Sequence, residues 1–166
     1  MKRFEHPFTL VELLCVIIVI ALLAAISIKV TQIAYRRADE TKTKTIMEII
    51  RVSNEQYKAK HGYYYPNGGS TYNEGGVDFY SIELNAEFLG EAYETCRAMT
   101  TGSDDKKIRD AWGNAFRYRS PGKYNTTSYD LYSIGRDKSV GDAENSAKKK
   151  PGMGDDIVNF KNPDIK

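Results

Sequence analysis

FTLVELLCVIIVIALLAAISI, residues 8–28, decides how the rest of the chain is read. One side chain in it ionises, Glu12, and every residue from Leu13 to Ile26 is apolar. About 20 apolar residues, each rising about 1.5 Å in a helix, match a hydrocarbon core about 30 Å thick, so the stretch predicts a transmembrane helix. Glu12 is what a plain anchor does not need, because a carboxylate inside a span is costly unless a partner offsets it. Upstream, Lys2 and Arg3 imitate the basic start of a secretory signal. The helical pattern runs on past Ile28, however, and Glu12 interrupts the start of the apolar core, so an anchor is expected rather than a cleaved secretory signal. Cations flank both ends of the span, which leaves its orientation open.

Working outward, Lys29 to Lys60 contains neither Pro nor Gly. Val30, Ile33, Ala34, Ala38, Thr41, Thr45, Ile46, Ile49, Ile50, Ser53 and Tyr57 recur at steps of three and four, one stripe of an amphipathic helix. His61-Gly62 reads as its end, with Gly62 in the left-handed cap position. Span and amphipathic stretch together predict one helix of about 53 residues, about 80 Å long.

Pro66, Asn67, Gly68, Gly69, Gly75 and Gly76 mark residues 63–76 as loop. A short helix is expected between Val77 and Leu89, capped by Asp78 or Ser81, while Glu91 to Arg97 fits either helix or strand. Trp112-Gly113-Asn114 is a turn. Phe116 to Arg119 and Tyr129 to Ser133 alternate as two half-buried strands joined by residues 120–128, and Ile157 to Phe160 is a last short strand. The polar remainder therefore reads as a small antiparallel sheet domain, rich in tyrosine, behind a long helix: an α+β fold.

The chain has 166 residues with a net charge of +2, from 24 basic and 22 acidic side chains, so no clustered basic surface points to nucleic acid. Its two cysteines, Cys15 and Cys96, belong to different environments and give no disulfide framework. His6 and His61 are its histidines, too few for a His-based metal site or catalytic triad. No nucleophile elbow and no phosphate-binding glycine loop occurs. A membrane-anchored enzyme would need a catalytic constellation outside the span, and none is visible; a plain anchored binding domain stays open. Trp112, Tyr118, Tyr129 and Tyr132 read as packing rings rather than a binding platform. Asp137, Asp155 and Asp156 lie in glycine-rich stretches without EF-hand spacing. Three carboxylates brought together would repel, which a divalent ion bound through oxygens would relieve.

Phe8-Thr-Leu-Val-Glu12-Leu, followed by an unbroken apolar run, resembles the N-terminus of type IV pilins and of the pseudopilins of type II secretion. In that pattern a short basic leader precedes Phe, and Glu is fifth in the processed chain. The C-terminal half narrows the resemblance to the major pseudopilin of type II secretion. It has Asp110-Ala-Trp112-Gly113-Asn114, Ser120-Pro121-Gly122, Ser133-Ile134-Gly135-Arg136-Asp137 and Asp155-Asp156-Ile157-Val158-Asn159-Phe160, in the family's order. His61-Gly62-Tyr63-Tyr64-Tyr65-Pro66 matches the stretch after the long helix. Pro7 stands where that family has Gly, Ala111 where it has Pro, and Phe160 where it has Trp. The loop 138–154 is longer and richer in lysine.

The resemblance implies a pilin fold, with a C-terminal metal-binding loop beside the sheet. It implies a leader over residues 1–7, a transmembrane and assembly helix over 8–28, the amphipathic half of that helix over 29–61, and a periplasmic globular domain over 62–166. It implies cleavage between Pro7 and Phe8 by a prepilin peptidase and methylation of Phe8. Glu12 would then pair with the freed amine of a neighbouring subunit. Calcium is implied for the C-terminal loop, on Asp137, Asp156 and Asp155 with the Ile134 carbonyl, where Asp142 or Glu144 can intrude. Subunits would be held singly in the inner membrane bilayer and then stack into a helical periplasmic filament with minor pseudopilins and the inner-membrane secretion platform. A type IV pilus subunit for adhesion or DNA uptake is the related alternative; the lone Cys96 argues against the disulfide that closes most such subunits.

Overall fold

The computed structural model describes residues 9–74, 76–100, 106–141 and 150–161, and within residues 25–30 the backbone only. The leader, Pro7, Phe8, Asp142 and Glu144 lie outside the described residues. The chain divides into two compact units, parted between Ala38 and Asp39.

Helix α1 runs Leu10–His61, 52 residues, as the absence of Pro and Gly allows. It stops where predicted: Gly62 takes φ +85° and its N–H reaches the Lys58 carbonyl at 2.7 Å. Lys58, Lys60 and His61 occupy the last turn, where positive charge complements the helix dipole. In the first unit the apolar side chains from Leu10 to Leu23 are exposed, Leu10 at 80% and Leu23 at 61%. Among the described residues no helix is long and apolar enough to cross a membrane. Of the span expected over 8–28, Phe8 and the side chains of 25–28 fall outside the description.

The second unit is built on the later part of α1. Thr43, Ile46, Met47, Ile50, Ser53 and Asn54 are buried, at steps of three and four. The expected stripe is thus right at Ile46, Ile50 and Ser53 but rotated at its start, for Thr41 and Thr45 are exposed. Thr45 turns its hydroxyl back to the Thr41 carbonyl, whereas Thr43 faces inward and accepts the Ala111 N–H at 3.2 Å.

Five strands follow: β1 (Thr71–Glu74), β2 (Val77–Tyr80), β3 (Arg117–Arg119), β4 (Asp130–Ser133) and β5 (Ile157–Val158). They form one antiparallel sheet in sequence order, with Tyr80 opposite Tyr118, Tyr118 opposite Leu131, and Tyr132 opposite Val158. Between β2 and β3 lie α2 (Ala86–Leu89), one 3₁₀ turn (Gly90–Ala92) and α3 (Tyr93–Met99). Two sequence expectations need correction here. Residues 63–76 are not all loop, because β1 lies within them. The helix expected within 77–89 begins only at Ala86, capped by Asn85, whose side chain accepts the N–H groups of Glu87 and Phe88. Asp78 lies in β2, and Ser81 is a buried partner of the Ser70 N–H.

Alternation along the sheet divides the core in two. One face carries Tyr118 and Leu131 against Ile46, Ile50, Phe88 and Phe116. The other gathers Val77, Phe79, Tyr132, Ile134 and Phe160. Tyr118 is fully buried, yet its hydroxyl lies 2.8 Å from the Tyr65 carbonyl and 3.0 Å from Asn54 Oδ1, so its polar end is satisfied. Phe160 stacks on Tyr124 at 4.6 Å and meets Tyr132 edge-on at 6.0 Å, which fastens the C-terminal segment to the second face.

Candidate functional site

Glu12 sits in the first turn of α1 and is exposed. Its Oε2 accepts the Thr9 N–H at 3.3 Å and the Thr9 hydroxyl at 3.2 Å, while Thr9 Oγ1 accepts the Glu12 N–H at 3.2 Å. This is a reciprocal capping box, the spacing Thr-x-x-Glu that satisfies two otherwise unpaired helix N–H groups. The signal stands in the sequence as Thr9-Leu-Val-Glu12, and the reading centred on burial of Glu12 passed over it. Phe8, whose amine the family pattern would pair with Glu12, lies outside the described residues.

The C-terminal acids Asp137, Asp155 and Asp156 lie near one another, each turned mainly toward backbone. Asp155 Oδ2 accepts the N–H groups of Arg136 and Asp137 at 2.6 and 3.1 Å. Asp137 Oδ1 accepts the Ser139 N–H at 2.8 Å. Asp156 Oδ2 accepts those of Gly141 and Gly152 at 2.9 and 3.0 Å, while its Oδ1 is buried without a donor among the described residues. Burial pushes the Asp156 carboxyl up to about 7; the two backbone donors pull against that, and the nearby Asp155 and Asp137 add to it. Ile134 is buried, and Gly135 beside it has φ +66°. A Cβ at Gly135 would come within 2.6 Å of the Asp155 backbone carbonyl, so the loop closes on a position only glycine fits. Among the described residues no group of three or more acidic, His or Cys side chains is arranged to hold a metal. One feature does fit a cation: among the described residues Asp156 Oδ1 is a buried carboxylate oxygen without a hydrogen-bond donor.

The polar residues that organise this region are ones the sequence reading did not single out. Asp110 is fully buried. Its Oδ1 accepts the N–H groups of Trp112 and Asn114, and its Oδ2 accepts the Ser133 hydroxyl at 2.6 Å and the Asn114 side-chain amide at 3.1 Å. The same Asn114 amide donates to the Gly135 carbonyl at 2.7 Å, and the Gly135 N–H returns to Ser133 Oγ at 3.1 Å. The Asp110–Asn114 turn is thereby bolted to the Ser133–Asp137 segment that carries the acids.

Two further clips work alike. Asp130, also fully buried, accepts the N–H groups of Lys123, Tyr124 and Asn125 and closes the connection between β3 and β4. A Cβ at Gly122 would lie 2.6 Å from Asp130 Oδ1, hence Ser-Pro-Gly. Asn159 receives the Leu131 N–H on its side-chain oxygen at 2.7 Å and sends its own N–H to the Leu131 carbonyl at 3.0 Å. The motifs quoted from the sequence around Asp110, Ser120-Pro121-Gly122 and Asn159 are therefore segments locked to others through side-chain oxygens, those of Asp110 and Asp130 buried. Removing Asp110 or Asp130 leaves several backbone donors unpaired, and removing Asn159 leaves the Leu131 N–H.

A long N-terminal helix followed by a small antiparallel sheet is the arrangement that the resemblance to type IV pilin-like subunits implies. The family model described as type II secretion system (T2SS), protein G matches residues 89–150. The chain is 25% identical over 150 residues to type II secretion system core protein G of Pseudomonas aeruginosa, an alignment covering 88% of this chain and 94% of that protein. It is 27% identical over 143 residues to the core protein G of Aeromonas hydrophila, covering 84% and 89%. No solved structure matches. Along most of its length the chain is thus similar to the protein G pseudopilins of type II secretion, in keeping with its motifs.

Proposed function

We propose that this chain is the major pseudopilin of a type II secretion system, a structural subunit rather than an enzyme. The observation that carries the reading is end-to-end similarity: the alignment takes in 94% of a core protein G, helix and sheet domain alike. The comparisons do not favour the pilus alternative.

In this reading the 8–28 stretch holds the subunit in the inner membrane until it assembles, with the sheet domain in the periplasm. What supports it is the unbroken apolar run and the exposure of its side chains from Leu10 to Leu23. Prepilin peptidase cuts between Pro7 and Phe8, and the freed, methylated amine of one subunit meets Glu12 of its neighbour. Stacked helices then form a periplasmic filament that, with minor pseudopilins and the inner-membrane platform, pushes exported proteins outward. The motor is a separate protein. Glu12→Leu tests the central step: the variant is expected to insert normally yet neither assemble nor export, and normal export from it would defeat the reading. Mass spectrometry of the membrane-extracted chain tests the processing, which an intact Met1 would refute.

Calcium in the C-terminal loop is part of the same reading, held by carboxylates of Asp137, Asp155 and Asp156 and the carbonyl of Ile134. Its support is Asp156 Oδ1, a buried acceptor without a donor among the described residues, beside carboxylates that otherwise repel. The ion would neutralise the cluster and tie the loop to the end of β4.

A further inference from the structure

The last turn of α1 leads through Gly62 into Tyr63-Tyr64-Tyr65-Pro66, and this run is fastened to the end of β3. The Asn67 side-chain amide donates to the Ser120 carbonyl at 2.7 Å, and its side-chain oxygen accepts the Ser120 N–H at 2.7 Å. Between the two segments lies an open cavity of about 440 Å³. That volume falls in the range of about 300–1,000 Å³ that small-molecule sites occupy. The rings of Tyr63, Tyr64, Pro66 and Pro121 line it on one part, and Thr126, Thr127 and Ser128 on another.

The rings are held in place before any ligand arrives, so little freedom is lost on binding. Tyr129 meets the Tyr64 ring edge-on at 5.1 Å, Lys58 Nζ lies 4.3 Å from its centre, and the Tyr64 hydroxyl accepts from Lys58 at 3.1 Å. Tyr63 is 56% exposed, yet its ring rests edge-to-face on Tyr57 at 5.9 Å. The hydroxyls of Thr126, Thr127 and Ser128 make no hydrogen bond among the described residues, so each can both give and accept one. Among the described residues that line the cavity there is no carboxylate, and Lys58 is the one cation.

These features sort ligands by chemistry. A cation would find no counter-charge, and a polyanion would find one amine already engaged with a tyrosine. A purely apolar molecule would cover the three hydroxyls without pairing them, which is costly. A proline-rich peptide would stack on the same rings but offers carbonyl acceptors alone along its proline backbone. A sugar ring meets each requirement: its C–H face covers a tyrosine ring, and its hydroxyls both donate and accept along the edge. An acetamido group adds a methyl for the prolines and a carbonyl for Lys58. We propose that the cavity binds a glycan of N-acetylated hexosamines, one sugar stacked on Tyr63 with its polar edge on Thr126, Thr127 and Lys58. The site stands independently of the membrane stretch and of the assembly reading.

The test is titration calorimetry of the full-length chain, in a detergent without a sugar headgroup, with the trisaccharide of N-acetylglucosamine. Saturable binding with a dissociation constant of about 1 mM or tighter is expected. Tyr63→Ala is expected to weaken it at least about tenfold, Tyr63→Phe to keep it, and Thr126→Ala with Thr127→Ala to weaken it at least about threefold. Tyr35→Ala removes an exposed ring that does not line the cavity and is expected to change nothing. Thermal melts check folding. Where Tyr63→Ala melts early, the threonine pair decides instead, because those hydroxyls hold nothing among the described residues. No saturation by about 10 mM, undiminished binding in a folded Tyr63→Ala or in the threonine pair, or an equal loss in Tyr35→Ala overturns the site. So does a deca-proline peptide that binds where the trisaccharide does not.

Discussion

Ser133 donates a 2.6 Å hydrogen bond to Asp110 Oδ2, and both residues are fully buried. Through this contact the end of β4 is fixed to the turn before β3, and the acid-bearing loop starts from a defined place. Asp110→Ala would strand the Trp112 and Asn114 N–H groups, the Asn114 amide and the Ser133 hydroxyl. At about 1–3 kcal/mol per buried unsatisfied group, the domain is expected to lose several kcal/mol and to fail to fold at growth temperature. Ser133→Ala removes one donor and is expected to cost about 1–3 kcal/mol. Urea titration followed by tryptophan fluorescence, from the single Trp112 in the same turn, reads both. An Asp110→Ala domain as stable as the unaltered one would show that the network contributes nothing.

Thr9 and Glu12 separate a local role from an assembly role. Thr9→Ala breaks the capping box and is expected to cost about 1 kcal/mol of helix stability, confined to the first turn. Export and assembly are expected to continue in that variant and to fail in Glu12→Ala, because only Glu12 offers a carboxylate to a neighbour. Equal failure of the two would mean that capping is the whole of what Glu12 does.

Cys96 is fully buried, and burial pushes its thiol up to about 11, with Thr100 pulling slightly the other way. A group whose folded pKa is raised holds its proton longer in the native state than in the unfolded chain. The stability it contributes is complete below the ordinary thiol value of 9.0 and is lost as pH rises through about 11. Melts between those values are expected to fall more steeply for the unaltered domain than for Cys96→Ala. Iodoacetamide at pH 8.5 is expected to leave Cys96 unmodified until denaturant is added; rapid labelling of the native domain would contradict its burial.

Calcium removal tests the C-terminal loop. With the ion at a hundred times its dissociation constant, binding would add about 2.7 kcal/mol to the stability of the folded domain. Chelation is expected to lower the melting temperature and calcium to restore it, while Asp156→Asn is expected to abolish the response. A melting curve indifferent to both chelator and calcium would remove the site.

Much of the architecture is written locally. The long helix, its stop at Gly62 and the β3–β4 hairpin follow from side-chain periods and punctuation that need no knowledge of partners. β1 was hidden because its inward side is polar: Glu74 Oε1 meets Arg117 at 2.7 Å, and the Tyr72 ring lies 3.5 Å below the Arg117 guanidinium. A strand whose inner face is an ion pair and a ring under a cation shows no apolar alternation, and its Asn and Gly neighbours read as loop. Thr43 and Asn54 broke the helix stripe for the same reason, being buried polar residues whose partners lie far along the chain, Ala111 and Tyr118. Asp110 and Asp130 stayed invisible as structural anchors. Nothing in the sequence separates a carboxylate that ties backbone from one in water until the distant N–H donors are known. The Thr9–Glu12 box, by contrast, is four residues long and was legible, but the cost of burying Glu12 drew the reading away from it.

The most direct measurement is export itself. The chain is deleted from its host, and the proteins released to the medium are compared with those retained in the periplasm, before and after its return in unaltered and Glu12→Leu form. The account predicts that the deletion strands exported proteins in the periplasm, that the unaltered chain restores their release together with filaments, and that Glu12→Leu restores neither although it reaches the membrane. Undiminished release in the deletion strain would contradict it.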